Sequence, residues 1–254
     1  MSSGLSERLH QMNEDGHKLN DDSKNSENTL NEAMKEIIAY AKQILAPNPV
    51  VHEKSISLFS CQTYLPPDFP VLPNEQNQQF YMSPDGGILY ALIDNVKYPL
   101  LISEDKVQGT NDRLFAEGKK RQATGNAIER AGKNIKAAEM LFSRRAVFPY
   151  VLFASGCDFH HTETISKRIE MMNMGVPNHY ISVSPSADIL TAESVINALD
   201  IKKKNGFSIV SVCVKAHKWN EMPHGASRWT TAEITGILKR VLDLSIADLK
   251  ASLS

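Results

Sequence analysis

Apolar residues recur along this chain with the two spacings that separate helices from strands. A helical spacing between positions 29 and 45 involves Leu30, Met34, Ile37, Ile38, Ala41 and Leu45. The same spacing predicts further helices at 126–142, 165–177 and 231–253. Continuous apolar runs predict buried strands at 87–93, 96–103, 146–155 and 207–216. Strands and helices mixed in this way are typical of the α/β class.

Length and composition bound the molecule further. With 254 residues, one large domain is expected rather than two. Residues 1–27 are polar and predict a flexible N-terminal arm, which leaves 28–254 as a single folded domain. We expect neither a membrane span nor a secretory signal, because no run is apolar enough. Three widely spaced cysteines favour a reducing cytosol.

Charge is concentrated in one segment of an otherwise neutral chain. The net charge is -1, but residues 113–145 contain nine basic residues and three acidic ones. Such a segment could face a phosphate backbone. An ordinary solvated helix face explains the charge equally well.

Asp94 and Asn95 separate two apolar runs and favour a tight hairpin turn. Paired residues of that hairpin have numbers that sum to 189, so Asp85 lies directly opposite Glu104. Lys106 follows two residues later and points to the same face of the sheet. The spacing therefore predicts a cluster of two carboxylates and one ammonium.

Two features of the hairpin leave this register open. A bulge at Gly86 and Gly87 would shift the pairing by one residue. Pro99 has no N–H and needs a backbone position that is not paired.

Two adjacent carboxylates repel each other unless a cation lies between them. Mg²⁺ suits the predicted cluster, because it prefers carboxylate, carbonyl and water oxygens. Such an ion polarises a phosphodiester oxygen. The Lys106 ammonium could then orient a water or offset charge on the phosphate. The alternative is a hairpin with charged ends and no metal.

The predicted helix from Asn126 carries polar side chains that suit base recognition. Asn126, Glu129, Arg130, Lys133 and Asn134 lie at its amino-terminal end or off its apolar stripe. Asn and Arg side chains can read purine edges, and Lys and a helix N-terminus suit phosphates. The structural alternative is a capping box formed by Asn126 and Glu129.

Three other groups of residues carry weaker signals. Cys157, His160 and His161 invite a zinc interpretation, but no second ligand pair follows at a usual spacing, which favours a loop. His217 and His224 are expected at the surface, and the lysines at 202–204 in a solvated loop.

Four motifs in order resemble the EcoRI-type restriction endonucleases of the PD-(D/E)xK superfamily. They are "SPDGGI", "SEDKVQG", "GNAIERAGKNI" and "FPYVLFASGCDF". The resemblance implies a restriction endonuclease-like fold, a single domain with a central mixed five-stranded sheet flanked by helices. It implies Asp85, Glu104 and Lys106 as catalytic residues. It also implies Asp85, Glu104 and the carbonyl of Asp105 as metal ligands.

The resemblance further implies that the segment from Gln122 to Arg130 enters the major groove, where Asn126, Glu129 and Arg130 match residues that read a central AATT. Lys133 and Asn134 match positions nearer the DNA backbone. The implied DNA-binding residues are Gln122, Ala123, Thr124, Gly125, Asn126, Ala127, Glu129, Arg130, Lys133 and Asn134. Gln122 and Thr124 depart from the pattern of the best-known member, where Met and Ala stand, so the flanking base pairs stay open. Val107 follows the catalytic lysine where His is familiar.

The resulting hypothesis is a Mg²⁺-dependent type II restriction endonuclease. It implies a cytoplasmic homodimer of a bacterial or archaeal cell that cuts both strands of duplex DNA, leaving 5′-phosphates and 5′ overhangs. Mn²⁺ is expected to substitute for Mg²⁺, and Ca²⁺ to support binding without cleavage. A cognate protective DNA methyltransferase is expected in the same cell. The alternatives are a DNA-binding protein without efficient cleavage and a PD-(D/E)xK repair or recombination nuclease.

Overall fold

The computed structural model describes most of the chain. The described residues are 3–68, 80–108, 114, 118, 126–156, 159, 181–183, 210–215 and 228–254, some of them by their backbone alone. The predicted helix at 165–177 lies outside them, as do Cys157, His160, His161, His217, His224 and the lysines at 202–204.

Four α-helices occur in the described part of the chain. They are α1 (Ser3–Leu45), α2 (Leu58–Cys61), which continues into a 3-10 turn, α3 (Asn126–Leu141) and α4 (Thr231–Leu253). The predicted helices at 126–142 and 231–253 are therefore confirmed. The helix predicted from residue 29 begins earlier, at Ser3, with no break at residue 28. The division into an arm and a domain at residue 28 stays a prediction.

The main sheet is mixed and confirms the α/β class. Its strands, in spatial order, are β1 (Val50–Glu53), β4 (Gly87–Ile93), β5 (Val96–Val107), β6 (Tyr150–Ser155), β8 (Val210–Lys215) and β7 (Ile181–Val183). The two pairs at the β1 side are antiparallel and the other three are parallel. A second, two-stranded sheet joins β2 (Ile56–Ser57) to β3 (Tyr81–Met82).

The main sheet has six described strands where five were expected. The four predicted strands form its centre as β4, β5, β6 and β8. The strands β1 and β7 add only four and three residues at the two edges. Such short segments carry too little periodicity to be recognised from sequence.

The hairpin of β4 and β5 forms around the predicted turn but with a different register. Asp94 and Asn95 have φ of 51° and 63°, as a two-residue hairpin turn requires. The predicted pairing holds from the turn to Pro99, and then one extra residue, Leu100, enters β5. The prediction that Asp85 lies directly opposite Glu104 is therefore wrong. The extra residue follows Pro99, which has no N–H to donate to the ladder.

Helices cover both faces of β5. Neighbouring residues of a strand point to opposite faces. The Ser103 hydroxyl contacts Met34 Sδ of α1 at 3.2 Å, whereas Glu104 faces Asn134 of α3. α4 packs beside α1, where the Tyr40 hydroxyl donates to Asp243 at 2.8 Å. The hydrophobic core therefore lies between the sheet and these two layers.

The basic segment at 113–145 is partly structural. Arg145 is buried, with its side chain 6% exposed, and pairs with Asp248 of α4 at 2.6 Å. Arg144 donates to the carbonyl of Leu65. The contacts of these two side chains therefore serve the fold.

Candidate active site

A glycine turn positions the first candidate residue. Gly87 N–H donates to the Pro84 carbonyl at 2.9 Å, which closes a turn around Asp85. Gly86 N–H donates to the Ser103 carbonyl at 2.9 Å and attaches this turn to β5. A Cβ at Gly86 would lie 2.0 Å from Ser103 Oγ, so the close approach requires glycine.

Lys106 joins the two candidate carboxylates. Its Nζ lies 2.7 Å from Asp85 Oδ2 and 2.8 Å from Glu104 Oε1. Glu104 is almost fully buried, whereas Asp85 and Lys106 are partly exposed, at 33% and 26% of their side chains. The structure thus brings all three predicted catalytic residues together at one partly open site.

Burial and charge act in opposite directions on Lys106. Burial acts to lower the pKa of its ammonium, but the charges and hydrogen bonds of Glu104 and Asp85 raise it above its ordinary value. Lys106 therefore stays protonated and acts as a donor and a positive charge in this arrangement.

Asp105 contributes main-chain groups to the site. Its N–H donates to Asp85 Oδ2 at 3.1 Å, and its carbonyl accepts from Lys106 Nζ at 2.9 Å. Its side chain points to the other face of the sheet and bonds to Ser26 of α1. Burial raises the pKa of this carboxyl to about 6, although the bond from Ser26 acts to lower it. Of the Asp105 oxygens, the main-chain carbonyl is therefore the candidate ligand, because the side chain lies on the other face of the sheet.

Glu104 accepts two further hydrogen bonds through Oε2. The amide of Asn134 donates from α3 at 3.1 Å, and the Tyr150 hydroxyl donates from β6. Burial, followed by the negative charge of Glu104, raises the pKa of Tyr150, so its hydroxyl keeps its proton. Tyr150 is not among the predicted site residues, since its only signal in the sequence is a hydroxyl inside the apolar run at 146–155.

The donor set fits a hard divalent cation. The carboxylates of Asp85 and Glu104 and the carbonyl of Asp105 are oxygen donors of the kind that Mg²⁺ takes, together with water and substrate phosphate. The described residues contain no cluster of three or more His, Cys, Asp and Glu side chains suited to a metal ion. With the two carboxylates as ligands, the Asp105 carbonyl, water and substrate phosphate would take the remaining coordination positions of the cation.

The predicted DNA-binding residues are only partly described. Asn134 lies beside the candidate cluster of Asp85, Glu104 and Lys106 and bonds to Glu104. The described part of the chain does not include the side chains of Asn126, Ala127, Glu129, Arg130 and Lys133, nor any part of residues 122–125.

Within the described residues, every helix is too short or too polar to span a bilayer.

Comparison with known families decides the affiliation. The family model described as restriction endonuclease EcoRI matches residues 76–253, more than half of the chain. The chain belongs to this family. No curated protein matches the chain. The match confirms the resemblance carried by the four sequence motifs and identifies this EcoRI-family protein as a type II restriction endonuclease, a site-specific deoxyribonuclease.

Proposed function

We propose that this EcoRI-family endonuclease hydrolyses both strands of duplex DNA at a short palindrome containing AATT. The reaction leaves 5′-phosphates and 5′ overhangs. The observation that carries the proposal is the Lys106 ammonium lying between two carboxylates, 2.7 Å from Asp85 and 2.8 Å from Glu104. A buried glutamate and a protonated lysine at a partly open sheet end suit phosphodiester hydrolysis.

Asp85, Glu104 and the Asp105 carbonyl are the proposed Mg²⁺ ligands. Bound there, the ion supplies the Lewis acidity that polarises a phosphate oxygen and acidifies a water. Mn²⁺ has similar ligand preferences and is proposed to substitute for Mg²⁺. Ca²⁺ is proposed to support binding without cleavage.

Lys106 is proposed to stabilise charge on the reacting phosphate and to orient the attacking water. Its Nζ can donate up to three hydrogen bonds, and its raised pKa keeps it charged. Asp105 holds this lysine through its carbonyl and holds Asp85 through its N–H. The backbone of β5 is therefore proposed to orient both Lys106 and Asp85 towards the reacting phosphate.

The amino-terminal part of α3 and the residues before it are proposed to read the DNA. Asn126, Glu129 and Arg130 match the family residues that read AATT, and Lys133 lies closer to the phosphates. The position of Asn134 beside Glu104 supports this proposal, because it sets α3 next to the catalytic cluster. The base pairs outside AATT depend on Gln122 and Thr124, where this sequence departs from the family pattern.

The palindromic site further implies a homodimer, since a two-fold symmetric protein matches a two-fold symmetric duplex. Such an enzyme would cut its host's own DNA at the same sequence. We therefore propose a cytoplasmic enzyme of a bacterial or archaeal cell that contains a cognate protective methyltransferase.

Digestion of a plasmid of known sequence in Mg²⁺, with the ends mapped by sequencing, tests the reaction and the site together. We expect discrete ends at one AATT-containing palindrome and no cutting after removal of divalent ions. Lys106→Ala should abolish cleavage and keep cognate binding in Ca²⁺. Lys97→Ala is the matched control, because Lys97 lies on the same strand and pairs with Glu53 at an exposed position.

Normal cleavage by Lys106→Ala would overturn the assignment of the site. Cognate retardation in Ca²⁺ without cutting by the wild type in Mg²⁺ or Mn²⁺ would instead favour a DNA-binding protein. Cutting without sequence preference would favour a repair or recombination nuclease. Arg130→Ala should weaken cognate binding by about 1–3 kcal/mol, and an unchanged affinity would remove its proposed reading role.

A further inference from the structure

The two oxygens of the Glu104 carboxylate have different partners. Oε1 faces Lys106 Nζ at 2.8 Å and thus the proposed reaction centre. Oε2 faces away from it and accepts hydrogen bonds from the Tyr150 hydroxyl and the Asn134 amide. A carboxylate can rotate about its terminal bond with little torsional resistance. The donors on Oε2 therefore determine which oxygen faces Asp85 and Lys106.

Strand register explains how the Tyr150 hydroxyl reaches Glu104. Tyr150 pairs with Ile102 across the parallel ladder, and Glu104 pairs with Leu152. Ile102 and Glu104 are two residues apart on β5, so Tyr150 and Glu104 share one face as diagonal neighbours. An aromatic side chain is long enough to span that diagonal.

Packing and strand pairing restrain Tyr150. Tyr150 is fully buried. Its ring stacks on Phe148, with centroids 6.3 Å apart, and Phe148 in turn meets Phe142 edge-on at 5.4 Å. Its strand is hydrogen-bonded to β5 and β8 on either side. The hydroxyl is thus presented to Glu104 from a rigid element, whereas Asn134 donates from a helix outside the sheet.

We propose that Tyr150 is a positioning residue that holds the Glu104 carboxylate in the orientation required for DNA cleavage. The inference rests on the proposed function of Glu104. Loss of the hydroxyl leaves Asn134 as the one remaining neutral donor that the described residues show to Oε2. The carboxylate can then turn away from Lys106 while the fold stays intact.

Tyr150→Phe removes the hydroxyl and adds no atom, and Tyr90→Phe is its matched control. Tyr90 is also fully buried and lies in β4 of the same sheet. Its hydroxyl has no hydrogen-bond partner among the described residues. The two substitutions therefore delete the same group from similar surroundings, and only one of them touches the carboxylate.

Four measurements on the full-length protein define the expected result. Single-turnover cleavage of a cognate duplex in saturating Mg²⁺ should fall about 10–100-fold in Y150F, the usual cost of losing a partner of a metal ligand. Ca²⁺ affinity of the DNA complex, measured by calorimetry, should fall over a similar range. Duplex affinity without divalent ions should match that of Y90F. Y150F should stay folded under the assay conditions, with an unfolding midpoint below that of Y90F because a hydrogen bond to a buried carboxylate is lost. 4-Aminophenylalanine at position 150 retains a neutral donor and should restore most of the rate.

Wild-type rate and Ca²⁺ affinity in Y150F would overturn the inference. Unfolded Y150F, or loss of metal-free duplex binding in step with the rate, would also overturn it, since the hydroxyl would then serve the fold. Glu104→Gln separates this failure from that of the proposed function. An inactive E104Q beside a fully active Y150F refutes the positioning role alone, whereas an active E104Q refutes the role of Glu104 itself.

Discussion

Replacing Arg145 by Met tests whether this arginine belongs to the fold or to the DNA-binding surface. Its guanidinium binds two elements that are distant in sequence, β5 and α4. Nε pairs with Asp248 at 2.6 Å, Nη1 donates to the Pro99 carbonyl at 3.0 Å, and Nη2 donates to the Ser245 carbonyl at 2.6 Å. Arg145→Met retains most of the apolar volume and removes every one of these donors.

The expected loss of stability follows from burial. The side chains of Arg145 and Asp248 are only 6% and 13% exposed. Removing one partner of a buried ion pair costs about 3–5 kcal/mol, because the other charge stays buried without compensation. The exposed pair of Lys136 and Glu139, three residues apart on α3, is worth about 0.2–0.5 kcal/mol. The loss of stability in Arg145→Met should therefore be several-fold larger than the loss in Lys136→Met.

Urea unfolding followed by circular dichroism measures both losses. We expect R145M to lose about 3–5 kcal/mol and K136M less than about 1 kcal/mol. The double variant R145M/D248L should recover much of the loss, because replacing both buried charges by apolar side chains is often neutral. The salt dependence of cognate DNA binding should stay unchanged in R145M, since a phosphate contact would contribute to its slope. An R145M variant within about 1 kcal/mol of wild type, or a double variant as unstable as the single one, would refute this reasoning.

Two further substitutions test the site turn and the start of α4. Gly86→Ala should slow cleavage about 100-fold by displacing Asp85, because the new Cβ would lie 2.0 Å from Ser103 Oγ; an unaltered rate would contradict this. Burial raises the pKa of Glu233, but hydrogen bonds from Lys215 and Thr230 lower it overall. This stabilisation is present above the ordinary glutamate pKa of about 4.3 and lost as the pH falls through the lowered pKa. The stability difference between wild type and Glu233→Gln should therefore shrink towards acid pH, and a constant difference would argue against the pair.

Local patterns predicted the centre of the fold but not its edges. The turn at Asp94 and Asn95 lies between two apolar runs, and its composition alone selects a tight hairpin. The helix at 29–45 was visible from its dense apolar stripe, whereas its extension to Ser3 is rich in polar residues and has only four large apolar ones, Leu5, Leu9, Met12 and Leu19. The edge strand β1 is intermediate in exposure along its whole length, so it has no alternating pattern to recognise.

The candidate catalytic cluster was predictable because its members lie close to one hairpin. Asp85 lies in the turn just before β4, outside the ladder, so its carboxylate still reaches Lys106 although the register differs by one residue. The partners of Glu104 are different, since Asn134 and Tyr150 come from elements 30 and 46 residues further along the chain. Only the parallel pairing of β5 with β6 and the packing of α3 bring them to that carboxylate, and spacing along the chain carries no information on either.

The extra residue in β5 changes what joins the two carboxylates. In the predicted register, Asp85 and Glu104 face each other directly, and an added cation is needed to offset their repulsion. In the observed register, Asp85 Oδ2 instead accepts the N–H of Asp105 at 3.1 Å and the ammonium of Lys106 at 2.7 Å. Lys106 is therefore the group that compensates both charges in the protein alone. The same lysine contributes to the stability of the site and, as proposed, to catalysis. Loss of cleavage in Lys106→Ala therefore supports a catalytic role only if the variant still binds cognate DNA.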